Sequence, residues 1–381
     1  MSSDFTQATN PDIQGDRRVA IIHYWLVTMR GGEKVIEALC RMFPRADIYT
    51  HVVDHRALSD TLKRHRIIET RVGRLPMAKI LYQKYLPLMP RALEELDLSG
   101  YDLVISSESG PAKGVIAPPN APHLCYCHSP MRYLWDQYHV YRDGAGTFTK
   151  MAMPLLAHSL RQWDVTSAAR VDRIMSNSHF VANRVEKYWR RPSDIVAPPV
   201  AVEEFAPVSA NELSDFYLWA GELAPYKRPD LAVEAFRNLD LPLVVIGGPD
   251  DLVRKLSPTA GPKTQFLGKV SFPVLKDHLA RCKALIFPGE EDFGIVPVEA
   301  MASGRPVIAY KSGGILDTVI ENETGVFFDM QTVDALEDAV RRFEKSGLAT
   351  SSTDACIARS KHFSEDVFRK GVANSLAQLG M

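Results

Sequence analysis

At 381 residues and 46% hydrophobic, the chain can bury two cores, and two domains of roughly 180 residues fit the usual domain size. Lys and Arg number 45 against 46 Asp and Glu, a net charge of −1, which excludes a dominant nucleic-acid footprint. No apolar run approaches the ~20 residues that span a bilayer, and five scattered cysteines (Cys40, Cys125, Cys127, Cys282, Cys356) without a signal peptide point to a reducing, cytoplasmic compartment.

Residues 1–16 are polar with Gly and Pro and read as a loose tail. A first buried strand is expected at 17–23, then a turn at 27–32 containing Gly31 and Gly32, then an amphipathic helix at 33–42 with Val35, Ile36, Leu39 and Met42 on one face. A glycine pair between strand and helix admits a close backbone approach to a ligand, and a helix start favours negative charge; it reads equally as a simple tight turn. A strand is expected at 46–53. From 63 to 91 eight cations (Lys63, Arg64, Arg66, Arg71, Arg74, Lys79, Lys84, Arg91) face one acid, Glu69, interleaved with aromatic and aliphatic residues. That composition suits a segment lying on an anionic membrane, and equally a helix pair with a solvated basic face.

Strands are expected at 101–107 and 123–128, the second running into a turn dense in His, Arg and aromatics. His128 stands at a strand's carboxyl end, where open α/β sheets place their ligands. Strand alternation sends Cys125 and Cys127 to one face and His128 to the other, and no second ligand pair follows, so the cluster does not read as a metal site. A helix over 144–169, polar on one side, is expected to lie across the first domain's surface. Residues 171–178 and 179–189 read as strand and helix, and three prolines between 191 and 200 mark the domain boundary. The alternation then restarts: strands at 216–221, 241–248, 265–268, 284–287 and 306–309, helices at 229–238, 274–282, 296–302, 333–345 and 367–379. Alternation in both halves implies two doubly wound parallel sheets of the α/β class.

Two stretches carry the chemistry. Lys227 and Arg228 are adjacent cations after a strand, suited to a diphosphate, Arg as a fork and Lys as a point charge; taken alone they read equally as a solvated basic turn. Residues 287–304 run from a buried strand through the acidic turn Glu290, Glu291, Asp292 into a helix start at Gly294, Ile295 and Val296. Those amides suit an anion, and Glu291 and Glu299 suit hydroxyl-rich neighbours on either side. Phosphate and polyol together indicate a nucleotide sugar.

The Glu-x7-Glu spacing of Glu291 and Glu299, with its Phe293-Gly294 and Glu299-Ala300-Met301-Ala302 flanks, resembles the family-four retaining glycosyltransferases of GT-B fold. The glycine pair, His128 and Lys227 follow in the family's order over roughly residues 17–375. The resemblance implies two Rossmann-like domains facing across a cleft: an acceptor-binding domain over 17–197, a nucleotide-sugar domain over 198–362, and a C-terminal helix in 363–381 packing back toward the first. It gives Glu291 the donor-sugar hydroxyls, the Phe293, Gly294, Ile295 and Val296 backbone the sugar and phosphate, Glu299 the ribose, and Lys227 the diphosphate. Gly31 and Gly32 would lie by the phosphates, His128 by the sugar near the reacting carbon, and Val270 by the base. One departure stands out. Relatives usually carry Arg where this chain has Glu222, which leaves two readings of that half of the diphosphate clamp: Arg228 substitutes for it, or Glu222 points away.

The motifs around Gly31, His128 and Lys227 look most like those of bacterial O-antigen and exopolysaccharide mannosyltransferases. The implied activity is transfer of mannose from GDP-mannose to a lipid-linked or saccharide acceptor, with retention, and without a metal or further cofactor. The implied place is the cytoplasm, or the inner face of the cytoplasmic membrane through 63–91. Alternatives left open are a UDP-sugar donor, a GT-B-like epimerase or phosphorylase, and a non-catalytic subunit of a polysaccharide assembly complex.

Overall fold

The computed structural model describes residues 14–248 and 250–381, so the expected tail lies outside the described residues up to residue 13. Its last residues do not hang loose. Gln14 is buried, accepts the Arg45 amide at 2.9 Å and donates through Nε2 to the Arg17 carbonyl at 3.1 Å.

The chain divides into two compact units. The first takes the described residues up to Ser176, then Arg184–Asp194 and Arg369–Met381; the second takes Asn177–Asn183 and Ile195–Phe368. The division is interleaved along the chain, the second unit resuming at Ile195. The last helix, Glu365–Ala377, ends among first-unit residues.

The first unit is built on a sheet of order β3-β2-β1-β4-β5-β6-β7, with β1 Val19–His23, β2 Asp47–Thr50, β3 Ile67–Glu69, β4 Leu103–Glu108, β5 His123–Cys127, β6 Arg173–Ser176 and β7 Asp194–Ile195. The second has the order β10-β9-β8-β11-β12-β13, with β8 Tyr217–Ala220, β9 Leu243–Ile246, β10 Thr264–Gly268, β11 Leu285–Phe287, β12 Val307–Tyr310 and β13 Gly325–Phe328. In each, the order reverses at its first strand, between β1 and β4 and between β8 and β11. That is the switch point outside which such sheets bind ligands.

The near-continuous apolar runs are what strands covered on both faces require. In the second unit Leu218, Val244, Leu285 and Val307 enter one core, with Val298 and Met301 of the helix Ile295–Ala302. Their neighbours Tyr217, Leu243, Ile286 and Ile308 enter the other, under the helices Pro229–Leu239 and Val333–Ser346. Each such side chain contributes about 1.5–3 kcal/mol on burial.

A buried ionic cluster ties the first unit together. Lys113, Glu108 and Asp164 are fully buried. Lys113 Nζ reaches Glu108 Oε1 at 3.2 Å and Asp164 Oδ1 at 2.5 Å. Asp164 Oδ2 accepts the indole N–H groups of Trp135 (2.8 Å) and Trp189 (2.7 Å), and Glu108 Oε2 accepts the amides of Ala112 and Lys113. Burial alone would lower the lysine, but the two carboxylates overturn this and raise it. Asp164 stands on the helix Thr147–Ala168, whose outer side is less polar than its sequence suggested: Met151 and Leu155 are exposed.

Candidate functional site

At the second switch point, β8 leads through Gly221 and Glu222 into a short 3-10 turn, Pro225–Lys227, and then the helix Pro229–Leu239. β11 leads through Gly289 into the acidic turn. The two connections interlock: a Cβ on Gly289 would stand 2.6 Å from Lys227 Cα. This brings Lys227 Nζ to 2.9 Å from Glu291 Oε1, with both side chains mostly shielded (16% and 19% exposed). Burial would lower the Lys227 ammonium, but Glu291, with Tyr226 and Glu222 adding to it, holds it above its usual range. Lys227 is therefore a cation at any physiological pH, paired with Glu291.

Arg228 is not brought into that pair. It takes a left-handed conformation (φ 51°) at the start of the helix, and its guanidinium forks onto Asp230 at 3.0–3.1 Å. The two cations adjacent in sequence thus have different partners. Glu222 is exposed and contributes to the negative field acting on Lys227.

The acidic turn is clamped along its backbone. Glu291 forms a parallel bridge to Gly313 and accepts the Gly314 amide at 2.9 Å, while Ser312 Oγ donates to Glu290 Oε2 at 2.6 Å. Ser178 Oγ donates to the Asp292 carbonyl at 2.5 Å and Gln331 Nε2 to the Pro288 carbonyl at 2.8 Å. Gly294, the N-cap, has φ +87°, which a side chain rarely tolerates. The first turn of a helix leaves its amides without intrahelical partners, and Pro297 has none to offer. The amides that the helix itself leaves without a partner are thus those of Gly294, Ile295 and Val296. On the helix, Ile295, Val296 and Glu299 form one half-exposed stripe, while Val298, Ala300 and Met301 face the core. Phe293 is buried and packs on Phe363 with ring centroids 5.6 Å apart. Val270, half-buried after β10, lies against the same core.

At the first switch point, Gly31 and Gly32 are the first two residues of the helix Gly31–Met42, not part of the preceding turn. Glu33 Oε2 accepts the Arg30 amide at 3.0 Å and Oε1 the Thr28 hydroxyl at 3.3 Å, and burial raises its carboxyl. A Cβ on Gly32 would stand 2.7 Å from Tyr24 Oη, which would have to shift, and 3.8 Å from His128 Cε1, so His128 lies beside Gly32. Ser107 Oγ is 2.8 Å from His128 Nε2 and 3.1 Å from His23 Nδ1. Desolvation lowers His128 to about 4; burial, and then His128, take His23 well below the usual imidazole range.

Sequence reasoning missed His23, Ser107, Ser312 and Gln331 as parts of these sites. The available signal was position: each sits at or just beyond a strand's carboxyl end, except Gln331.

The family model described as Glycosyltransferase Family 4 matches residues 29–204, and that described as Glycosyl transferases group 1 matches residues 202–363. The chain is 29% identical over 217 residues to the D-inositol 3-phosphate glycosyltransferase of Kribbella flavida, covering 48% of this chain and 50% of that one. It is 32% identical over 209 residues to the GDP-mannose-dependent alpha-mannosyltransferase of Mycolicibacterium smegmatis, covering 52% and 54%. The chain thus spans about half the length of these curated relatives. Among solved structures it superposes on Anabaena HepE in complex with UDP with a TM-score of 0.71 at 16% identity, over 95% of this chain and 100% of that one, a likeness of fold. The two models together run without a break from residue 29 to residue 363, overlapping at 202–204, and on that ground the chain belongs to glycosyltransferase family 4, with the two Rossmann-like domains of the GT-B class.

Proposed function

We propose that this protein is a retaining hexosyltransferase that moves mannose from GDP-mannose to a lipid-linked saccharide acceptor in bacterial surface polysaccharide assembly. The observation that carries the reading is the Lys227–Glu291 pair at the second switch point, beside a helix start. In the reaction the bond from the sugar's anomeric carbon to the diphosphate oxygen breaks, and a bond to the acceptor oxygen forms on the same face. The acceptor's proton passes to the departing phosphate. Charge developing on the diphosphate meets the Lys227 ammonium and the amides of Gly294 to Val296, fixed dipoles that need no reorganisation. Glu291 takes the donor-sugar hydroxyls and Glu299 the ribose, while Val270 lies by the base. His128 serves the sugar and Gly31 and Gly32 the phosphates. Arg228, engaged by Asp230, is the weaker part of the assignment. No metal enters this scheme.

Differential thermal unfolding tests the donor. A ligand that binds only the native state at about 100 times its Kd adds ~2.7 kcal/mol. GDP is expected to raise the midpoint, with UDP and ADP nearly inert. Stabilisation by UDP alone would replace GDP-mannose with a UDP-sugar.

A lipid-linked acceptor calls for a membrane-facing surface, and we assign it to residues 63–91. Of the eight cations in 63–91, Lys63 lies 3.8 Å from Asp60, Arg66 is 4.0 Å from Asp47, Arg71 and Arg91 both pair with Glu95, and Arg64 bonds the Asp60 carbonyl. Arg74, Lys79 and Lys84 are exposed and form no ion pair among the described residues. Between them Met77 and Ile80 are 62% and 71% exposed. Cations flanking apolar side chains suit an anionic headgroup layer. No described helix is long and apolar enough to cross a membrane. At about 1 kcal/mol per cation, reversing all three charges is expected to abolish co-sedimentation with phosphatidylglycerol vesicles; undiminished binding removes this surface.

A further inference from the structure

The carboxyl ends of β1, β4 and β5 line up three side chains, His23, Ser107 and His128, whose connection the family motifs do not use. Ser107 is buried, and the two rings are the partners of its hydroxyl among the described residues, so its one proton goes to one ring and the other ring donates to it. The tautomers of the two histidines are therefore linked. In one arrangement Ser107 donates to His23 Nδ1, His23 carries its proton on Nε2, and His128 donates from Nε2. In the other, His23 donates from Nδ1, Ser107 donates to His128 Nε2, and His128 carries its proton on Nδ1.

His23 decides between them. The residue is fully buried, and its Nε2 has no hydrogen-bond partner among the described residues. The first arrangement strands an N–H donor in the interior, and the second strands only a lone pair; orphaned buried N–H groups are the rarer of the two. We propose that His23, acting through Ser107, holds His128 as the Nδ1–H tautomer, so that His128 offers a fixed donor to an acceptor oxygen of the bound sugar donor. His23 and Ser107 are positioning residues in this scheme. The use of the donor rests on the transferase reading; the tautomer does not.

Long-range proton–nitrogen NMR of the full chain with labelled histidine reads the tautomer directly, with His128→Asn to assign the ring. Wild type is expected to show His128 bare at Nε2 and protonated at Nδ1. Ser107→Thr, which keeps the hydroxyl, should preserve that pattern; Ser107→Ala and His23→Phe should replace it with a mixture of tautomers. With donor present, those two variants should lose kcat more than donor KM, and Ser107→Thr should restore it. A wild-type His128 protonated at Nε2 overturns the proposal, as does an unchanged pattern in both disrupting variants. If those variants fail to fold, the wild-type and Ser107→Thr spectra still decide. A wild-type spectrum as expected, in a protein that turns over no sugar nucleotide, would sink the transferase reading and leave the relay standing.

Discussion

Lys227→Ala is expected to lower kcat/KM for the sugar nucleotide by about two to three orders of magnitude, the loss seen when one preorganised electrostatic contact to a charged transition state is removed. The substitution does more than delete a cation. It leaves Glu291, mostly shielded and 2.9 Å from where the ammonium stood, as an unpaired carboxylate beside the proposed diphosphate site. Binding should therefore weaken together with the chemical step. Glu291→Ala removes the proposed sugar contact but releases Lys227 from its partner. Because the two residues form one pair, the double variant should lose clearly less than the sum of the single losses. Steady-state kinetics on the three variants checks this. Full additivity would mean that Lys227 and Glu291 act independently, and a near wild-type Lys227→Ala would remove the lysine from the reaction. Asp230→Asn provides a contrast, since it frees the Arg228 guanidinium without touching the pair.

Asp164→Ala is expected to destabilise the protein by about 3–5 kcal/mol, the range for removing one partner of a buried ion pair. Its carboxylate is fully buried, and its loss strands the Lys113 ammonium beside Glu108 alone and leaves two indole N–H groups without their acceptor. Denaturant unfolding, followed by tryptophan fluorescence, reads the loss as a fall in midpoint at unchanged slope. A shift below about 1 kcal/mol, the scale of exposed pairs, would show that water reaches the cluster. Replacing Lys113, Glu108 and Asp164 together by apolar residues of similar volume should do less harm than the single change, because no charge is then left behind.

What the sequence disclosed and what it hid separate along one physical line. The segment from Glu291 to Glu299 was legible because strand, turn and helix start are contiguous, and the half-exposed stripe follows from helical spacing alone. The alternation of strands and helices likewise yielded two doubly wound sheets. The partner of Lys227 was not legible, because a loop 64 residues downstream supplies it, and Arg228 was read with Lys227 although its left-handed turn sends it to Asp230. The joining of Lys113 to Asp164 and of His23 to Ser107 depends on sheet order and not on local pattern. The strands β3, β7 and β13, of three, two and four residues, are too short to show a periodicity. The basic run at 63–91 was legible in composition only; which of its cations are already paired depended on Asp47, Asp60 and Glu95.

The interleaving of the two units also bears on how the chain matures. Asp194 holds Arg173 through both carboxylate oxygens at 2.6 and 2.7 Å and accepts the Ser375 hydroxyl at 2.8 Å, and residues 369–381 are counted with the first unit. A nascent chain released domain by domain usually folds its amino-terminal part first. Here that part gains its full set of contacts only after the whole of the second unit has been synthesised, so the two halves cannot be separated by a single cut at the proline-rich boundary without taking a piece from the first.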